Sequence, residues 1–139
     1  MLDHNLLGPV LALISWTFVM WVWMYATRIP AIQKANVDRV ALSRTGGKLQ
    51  LPAQVARVAD NYNHLHEQPT IFYALALTAQ LGSPPDAISI GLAWTYVLIR
   101  IVHSLIQSTV NIIMVRFSMF AVGSVVLLTL LIRTIWLLR

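Results

Sequence analysis

Apolar residues along this chain gather into long runs, and the polar residues collect between and at the ends of those runs. The first run, residues 6–26 (LLGPVLALISWTFVMWVWMYA), holds no charge and is about long enough to cross a bilayer as a helix. It lacks a basic leading segment and a small-residue cleavage site, so it reads as a retained span and not a removed signal. The pattern predicts spans over 6–27, 57–81, 86–110 and 116–138. Between the first two lies a polar stretch, 28–55, with Thr45-Gly46-Gly47-Lys48 as a turn and Pro30 and Pro52 as breakers. Gly82-Ser83-Pro84-Pro85 predicts a tight turn, Asp86 starts the next helix, and 111–116 is a short connection. The expected fold is all-α: a single domain over 1–139, built as a four-transmembrane-helix bundle.

Composition agrees with the pattern. Of the 139 residues, 58% are apolar and 11% charged, against about 45–50% and about 25% for a soluble domain. A water-soluble enzyme and a nucleic-acid binder are therefore both excluded. With no cysteine, disulfides, thiolate metal sites and cysteine nucleophiles drop out as well. The net charge of +5 changes the picture only through its distribution: six of the ten basic residues fall between Arg28 and Arg57. Together with Arg116 they place the first and third connections in the cytoplasm, with both termini on the opposite side, despite Arg133 and Arg139. A multi-pass protein, embedded in lipid in a bacterial inner membrane, is the expected setting.

Ionisable groups inside a span are costly and usually mark function. On the second span, Arg57, Asp60, Asn61, Asn63, His64, Glu67 and Gln68 fall within an arc of about 160° on a continuous helix. On the third, Arg100, His103 and Gln107 share one face, and Asn111 continues it. Counted from the outer turn, Glu67 and Arg100 reach the same depth, roughly 21 Å, so an ion pair between them is expected. One carboxylate cannot satisfy Arg57, Arg100 and Arg116 together. The excess of donors predicts a net-positive pocket that takes an anion. Metal binding is not expected, since His64 and His66 point about 160° apart on a helix. Ser104 beside His103 is a helix neighbour and forms no hydrolase triad.

The run Arg57, Asn61, Asn63, Glu67-Gln68-Pro69-Thr-Ile-Phe, followed by Arg100-x-x-His103 and then Arg116, resembles the MAPEG family, the membrane-associated proteins in eicosanoid and glutathione metabolism. The likeness covers most of the chain. It implies a homotrimer of four-helix subunits, with glutathione bound between neighbours. Arg57, Asn61 or Asn63, Glu67, His103 and Arg116 match positions lining that site, and Arg116 matches the arginine proposed to stabilise the thiolate. Two departures stand out: Gln107 replaces a common tyrosine, and His64 stands where the family's spacing puts the glutamate.

The chemistry follows from the tripeptide. Two carboxylates need cations, which Arg57, Arg100 and Arg116 would supply, and the ammonium needs Glu67. A guanidinium near the sulfur favours the thiolate, the nucleophilic form. A hydrophobic small molecule would arrive through the bilayer as second substrate. The expected activity is thus glutathione transfer or peroxide reduction. A non-catalytic protein of the same fold, binding a lipid or small anion or regulating a partner, is the alternative; a small transporter or channel subunit is a third reading.

Overall fold

The computed structural model describes residues 5–35, 51–82 and 84–139, all of whose regular structure is helical. Five helices follow one another: α1 (Leu7–Lys34), α2 (Ala53–His64), α3 (Gln68–Gly82), α4 (Ala87–Ser108) and α5 (Ile113–Leu137). Arg39, Arg44, Lys48 and the turn around them lie outside the described residues.

Three of the expected spans are present as helices long and apolar enough to cross a membrane: α1, α4 and α5. α1 runs on to Lys34, through Pro30, which does not break it. The lost backbone donor falls at an exposed position near the helix end, where a proline is tolerated more easily than in a packed middle. At the other end Asn5 accepts from the Leu7 and Gly8 amides through its side-chain oxygen. The Leu6 amide donates to Gln80 Oε1 at 2.7 Å, which ties the start of α1 to the end of α3.

The second segment is not one helix. It divides into α2, of 12 residues, and α3, of 15, around Leu65-His66-Glu67. Pro69 explains the division, because it has no N–H to return to the Leu65 carbonyl and fits best in the first turn of a new helix. At about 1.5 Å per residue α3 alone spans roughly 22 Å, short of the ~30 Å hydrocarbon layer.

α4 starts at an N-cap, Asp86, whose carboxylate accepts from the Ser89 amide at 3.1 Å. Its last turn ends in Thr109, and Asn111 then adopts φ 55°, a left-handed conformation that asparagine tolerates better than most residues. This sharp stop lets α5 begin at Ile113, earlier than the hydropathy pattern implied. Arg116 therefore sits in the first turn of a helix and not in a loop.

α4 packs most extensively on α5, and α1 on α2. One core joins Leu6, Leu13, Phe72, Ala76, Tyr96, Val97 and Leu130, and the Phe72 ring stacks on Tyr96 with centroids 4.8 Å apart. A smaller core of Met20, Met24, Val58, Ala59 and Leu65 fixes α2 against α1. Near the start of α4, Arg133 from α5 closes an ion pair on Asp86 through Nη2 and Nε. That guanidinium, with help from Ser89, holds the Asp86 carboxyl well below the usual carboxylate range.

Candidate functional site

The division of the second segment creates the site. In an unbroken helix the His64 carbonyl would accept from residue 68. Here Arg100 Nη2 donates to it at 3.0 Å, from the middle of α4. Arg100 is 1% exposed, and its Cζ lies 5.9 Å from the centre of the Phe120 ring. A buried cation thus rests on one main-chain oxygen and one aromatic face.

Beside it opens a cavity of about 260 Å³ lined by His64, His103, Ile113, Arg116, Phe117 and Phe120. The His64 ring stands 5.3 Å from that of His103 and stacks on Phe120 at 5.5 Å. His64 Nδ1 is 2.6 Å from Glu67 Oε2. A neutral His64 donating to that carboxylate keeps its lone pair on Nε2. Arg116 Nη1 donates to Asn111 Oδ1 at 2.6 Å, so the left-handed turn aims the arginine.

The structure gathers His64, His103 and Arg116 around this cavity, with Arg100 packed behind two of its lining residues, His64 and Phe120, and Glu67 reached through His64. It does not gather the rest. Arg57 donates to the Thr109 carbonyl at 3.2 Å and so clasps the end of α4. Asn61, buried, donates to Ser104 Oγ at 2.6 Å across the α2–α4 contact. Gln107 is buried on the same face of α4. Asn63 and Asp60 are exposed.

The expected Glu67–Arg100 ion pair does not form. Equal depth would have brought the two together on a continuous helix, but the break turns Glu67 outward, to 65% side-chain exposure, and gives it His64. The continuous polar stripe fails for the same reason, since the register of α2 does not carry across residues 65–67. Among the described residues no group of three or more His, Cys, Asp or Glu is placed to hold a metal ion.

What the arrangement leaves unmatched is as informative as what it pairs. Arg100 Nε and Nη1 and Arg116 Nε are buried donors without a hydrogen-bond partner. Buried polar atoms are nearly always bonded, and leaving a charged one unpaired is expensive. Two guanidinium groups with spare donors, next to an aromatic-walled cavity, have the makeup of an anion site with an apolar side.

Several contributors were missed in the sequence. Phe117 and Phe120 read as ordinary apolar positions of the fourth span, although Arg116 and Phe120 are one turn apart on the same face. Gln68, Tyr96 and Ser124 form a polar chain between α3, α4 and α5: Tyr96 Oη donates to Gln68 Oε1 at 3.2 Å, and Gln68 Nε2 donates to Ser124 Oγ at 2.7 Å. Gln68 was already on the polar face read from the sequence; only polarity within apolar runs could have signalled Tyr96 and Ser124.

No curated protein and no solved structure matches the chain. A family model does match, over residues 6–136 and so nearly the full length, and with three membrane-length apolar helices behind it the chain is an integral membrane protein that belongs to the MAPEG family.

Proposed function

We propose that this protein binds glutathione and activates its thiol for transfer to, or reduction of, a hydrophobic substrate drawn from the bilayer. The observation that carries this reading is the cavity lined by Arg116, His64, His103 and two phenylalanines, with the unpartnered donors of Arg100 buried behind His64 and Phe120. In the proposed assembly α2 and α3 together make a fourth crossing, and three copies form a homotrimer whose neighbours complete the site. The exposed polar residues Asp60 and Asn63 on α2, which are costly to leave against lipid, support that contact. The basic residues Arg28, Lys34 and Arg57 favour a cytoplasmic location for this end, with the Asp86 end and both termini opposite, as in a bacterial inner membrane.

Each residue has a definite task. Arg100 bonds a substrate carboxylate with its free donors. Glu67 accepts from the ammonium, and His64 orients Glu67. Arg116, fixed by Asn111, donates to the sulfur and favours the thiolate. The thiolate then attacks the electrophilic carbon, a C–S bond forms, and the leaving group departs with the bonding pair. Phe117, Phe120 and Ile113 present the apolar wall along which that electrophile approaches.

The test is calorimetric titration of glutathione into the protein in mild detergent, followed by thiolate absorbance against pH and conjugation of a generic hydrophobic electrophile. Binding with thiolate present below the free-thiol pKa of about 8.5 supports the reading. Arg116→Ala should keep binding and raise the bound thiol's pKa by about one unit, about 1.4 kcal/mol, and Arg116→Lys should recover part of it. A second reading, a non-catalytic binder of a lipid or small anion, draws on the diversion of Arg57 and Asn61 into helix contacts. Binding without any thiolate would favour it.

A further inference from the structure

At the end of the molecule opposite the polar cavity, α4 and α5 diverge around a groove of about 390 Å³, within the size range of ligand sites. Ile88, Leu92 and Ile132 make its apolar wall, with Thr129, whose hydroxyl is turned back onto the Val125 carbonyl. Arg133 and Trp136 stand at its mouth. Trp136 is 69% exposed and is the penultimate residue of the helix, where an indole settles at the headgroup level of a bilayer. Arg133 gives Nη2 and Nε to Asp86 and, among the described residues, makes no hydrogen bond through Nη1. Asp86 keeps open acceptor capacity on a carboxylate that is 35% exposed. The Arg133 end of the groove therefore offers a guanidinium donor, with its partner Asp86 just beyond the lining and leaving the pair without net charge, next to a slot of hydrocarbon character.

We propose that this groove is a phospholipid site that selects a zwitterionic headgroup carrying a primary ammonium. The lipid phosphate accepts from Arg133 Nη1, the ammonium donates to Asp86, and one acyl chain lies between α4 and α5. A quaternary ammonium has no N–H to give Asp86, and an anionic headgroup without an ammonium leaves the open acceptor of Asp86 unused. The site is separate from the proposed glutathione cavity and stands whether or not that reading holds.

The experiment is native mass spectrometry of the purified protein in mild detergent, offered equal amounts of phosphatidylethanolamine and phosphatidylglycerol of matched chains. The wild type should keep phosphatidylethanolamine over phosphatidylglycerol by roughly two- to five-fold, the range of an exposed charge pair. Asp86→Asn retains a good helix cap while removing the charge, and should reverse the preference toward phosphatidylglycerol, because Arg133 is then uncompensated. Leu92→Trp, or Thr129→Trp from the facing helix, should fill the groove and abolish retention of both lipids. Equal retention of the two lipids by the wild type, or retention unchanged in both tryptophan variants, overturns the proposal. So does a change in oligomer mass with lipid retention intact, which assigns the groove to a second copy.

Discussion

Two arginines show how differently the two halves of this molecule are built. At the Asp86 end Arg133 meets Asp86 in an ion pair, and the carboxylate also caps α4. Toward the opposite end Arg100, almost fully buried, has one hydrogen bond, to a backbone carbonyl, and two nitrogens with none. Arg133 has an acidic partner inside the chain, whereas Arg100 and Arg116 each donate, among the described residues, to a neutral oxygen and keep buried nitrogens without a partner.

The largest effect that sharpens this contrast comes from the apolar core. Phe72→Ala removes a ring that is fully buried against Tyr96 and should cost about 3–5 kcal/mol. Thermal unfolding in detergent should record it, with glutathione affinity unchanged at temperatures where the variant is folded.

Arg100→Met is the inverse case. Replacing a poorly satisfied buried cation by an apolar side chain of similar volume is often neutral or stabilising by about 1–4 kcal/mol. The expected outcome is an unfolding midpoint equal to or above wild type together with loss of the glutathione titration. A strong fall in the midpoint would mean that Arg100 is a structural strut, and the contrast between the halves would disappear.

The Asp86 pair gives a smaller effect with a pH signature. Its folded pKa lies below the ordinary value of 3.8, so the stabilisation is present above that value and is lost as pH falls through the folded pKa. The gap in midpoint between wild type and Asp86→Asn should be constant near neutrality and narrow below about pH 4. A gap that widens in acid contradicts the pairing.

Smallest of all should be Glu67→Gln. The side chain is largely exposed and bonds only His64, so the change in stability should stay below about 1 kcal/mol. Had the carboxylate been the buried partner of Arg100, the same substitution would cost about 3–5 kcal/mol. Unfolding curves separate the two values easily.

That last pair marks where reading the sequence stopped being sufficient. α1, α4 and α5 were legible because an uninterrupted apolar run of membrane length has few alternatives. The interruption at residues 65–67 was not, since the same polar residues also fit one face of a continuous helix. Pro69 was the available clue, and its missing donor carried more weight than the periodicity around it. Arg100, His103 and His64 stood out by their polarity within predicted spans, because intramembrane charge is conspicuous whatever the register, and Arg116 by the family resemblance. Their partners were not: Asn61 with Ser104, and Arg57 with the Thr109 carbonyl, depend on how α2 turns against α4. Phe117 and Phe120 were hidden in the opposite way, as apolar residues in an apolar run.

The oxygen that holds Arg100 belongs to the main chain of His64 and not to its side chain. The cation's mooring is therefore written into the backbone path and survives replacement of the residue that provides it. Position 64 can drift from imidazole to amide, acid or hydroxyl, changing what the cavity wall offers a guest, while the guanidinium stays anchored. A mooring of that kind lets the side chain at position 64 change without rebuilding the helices that frame the pocket.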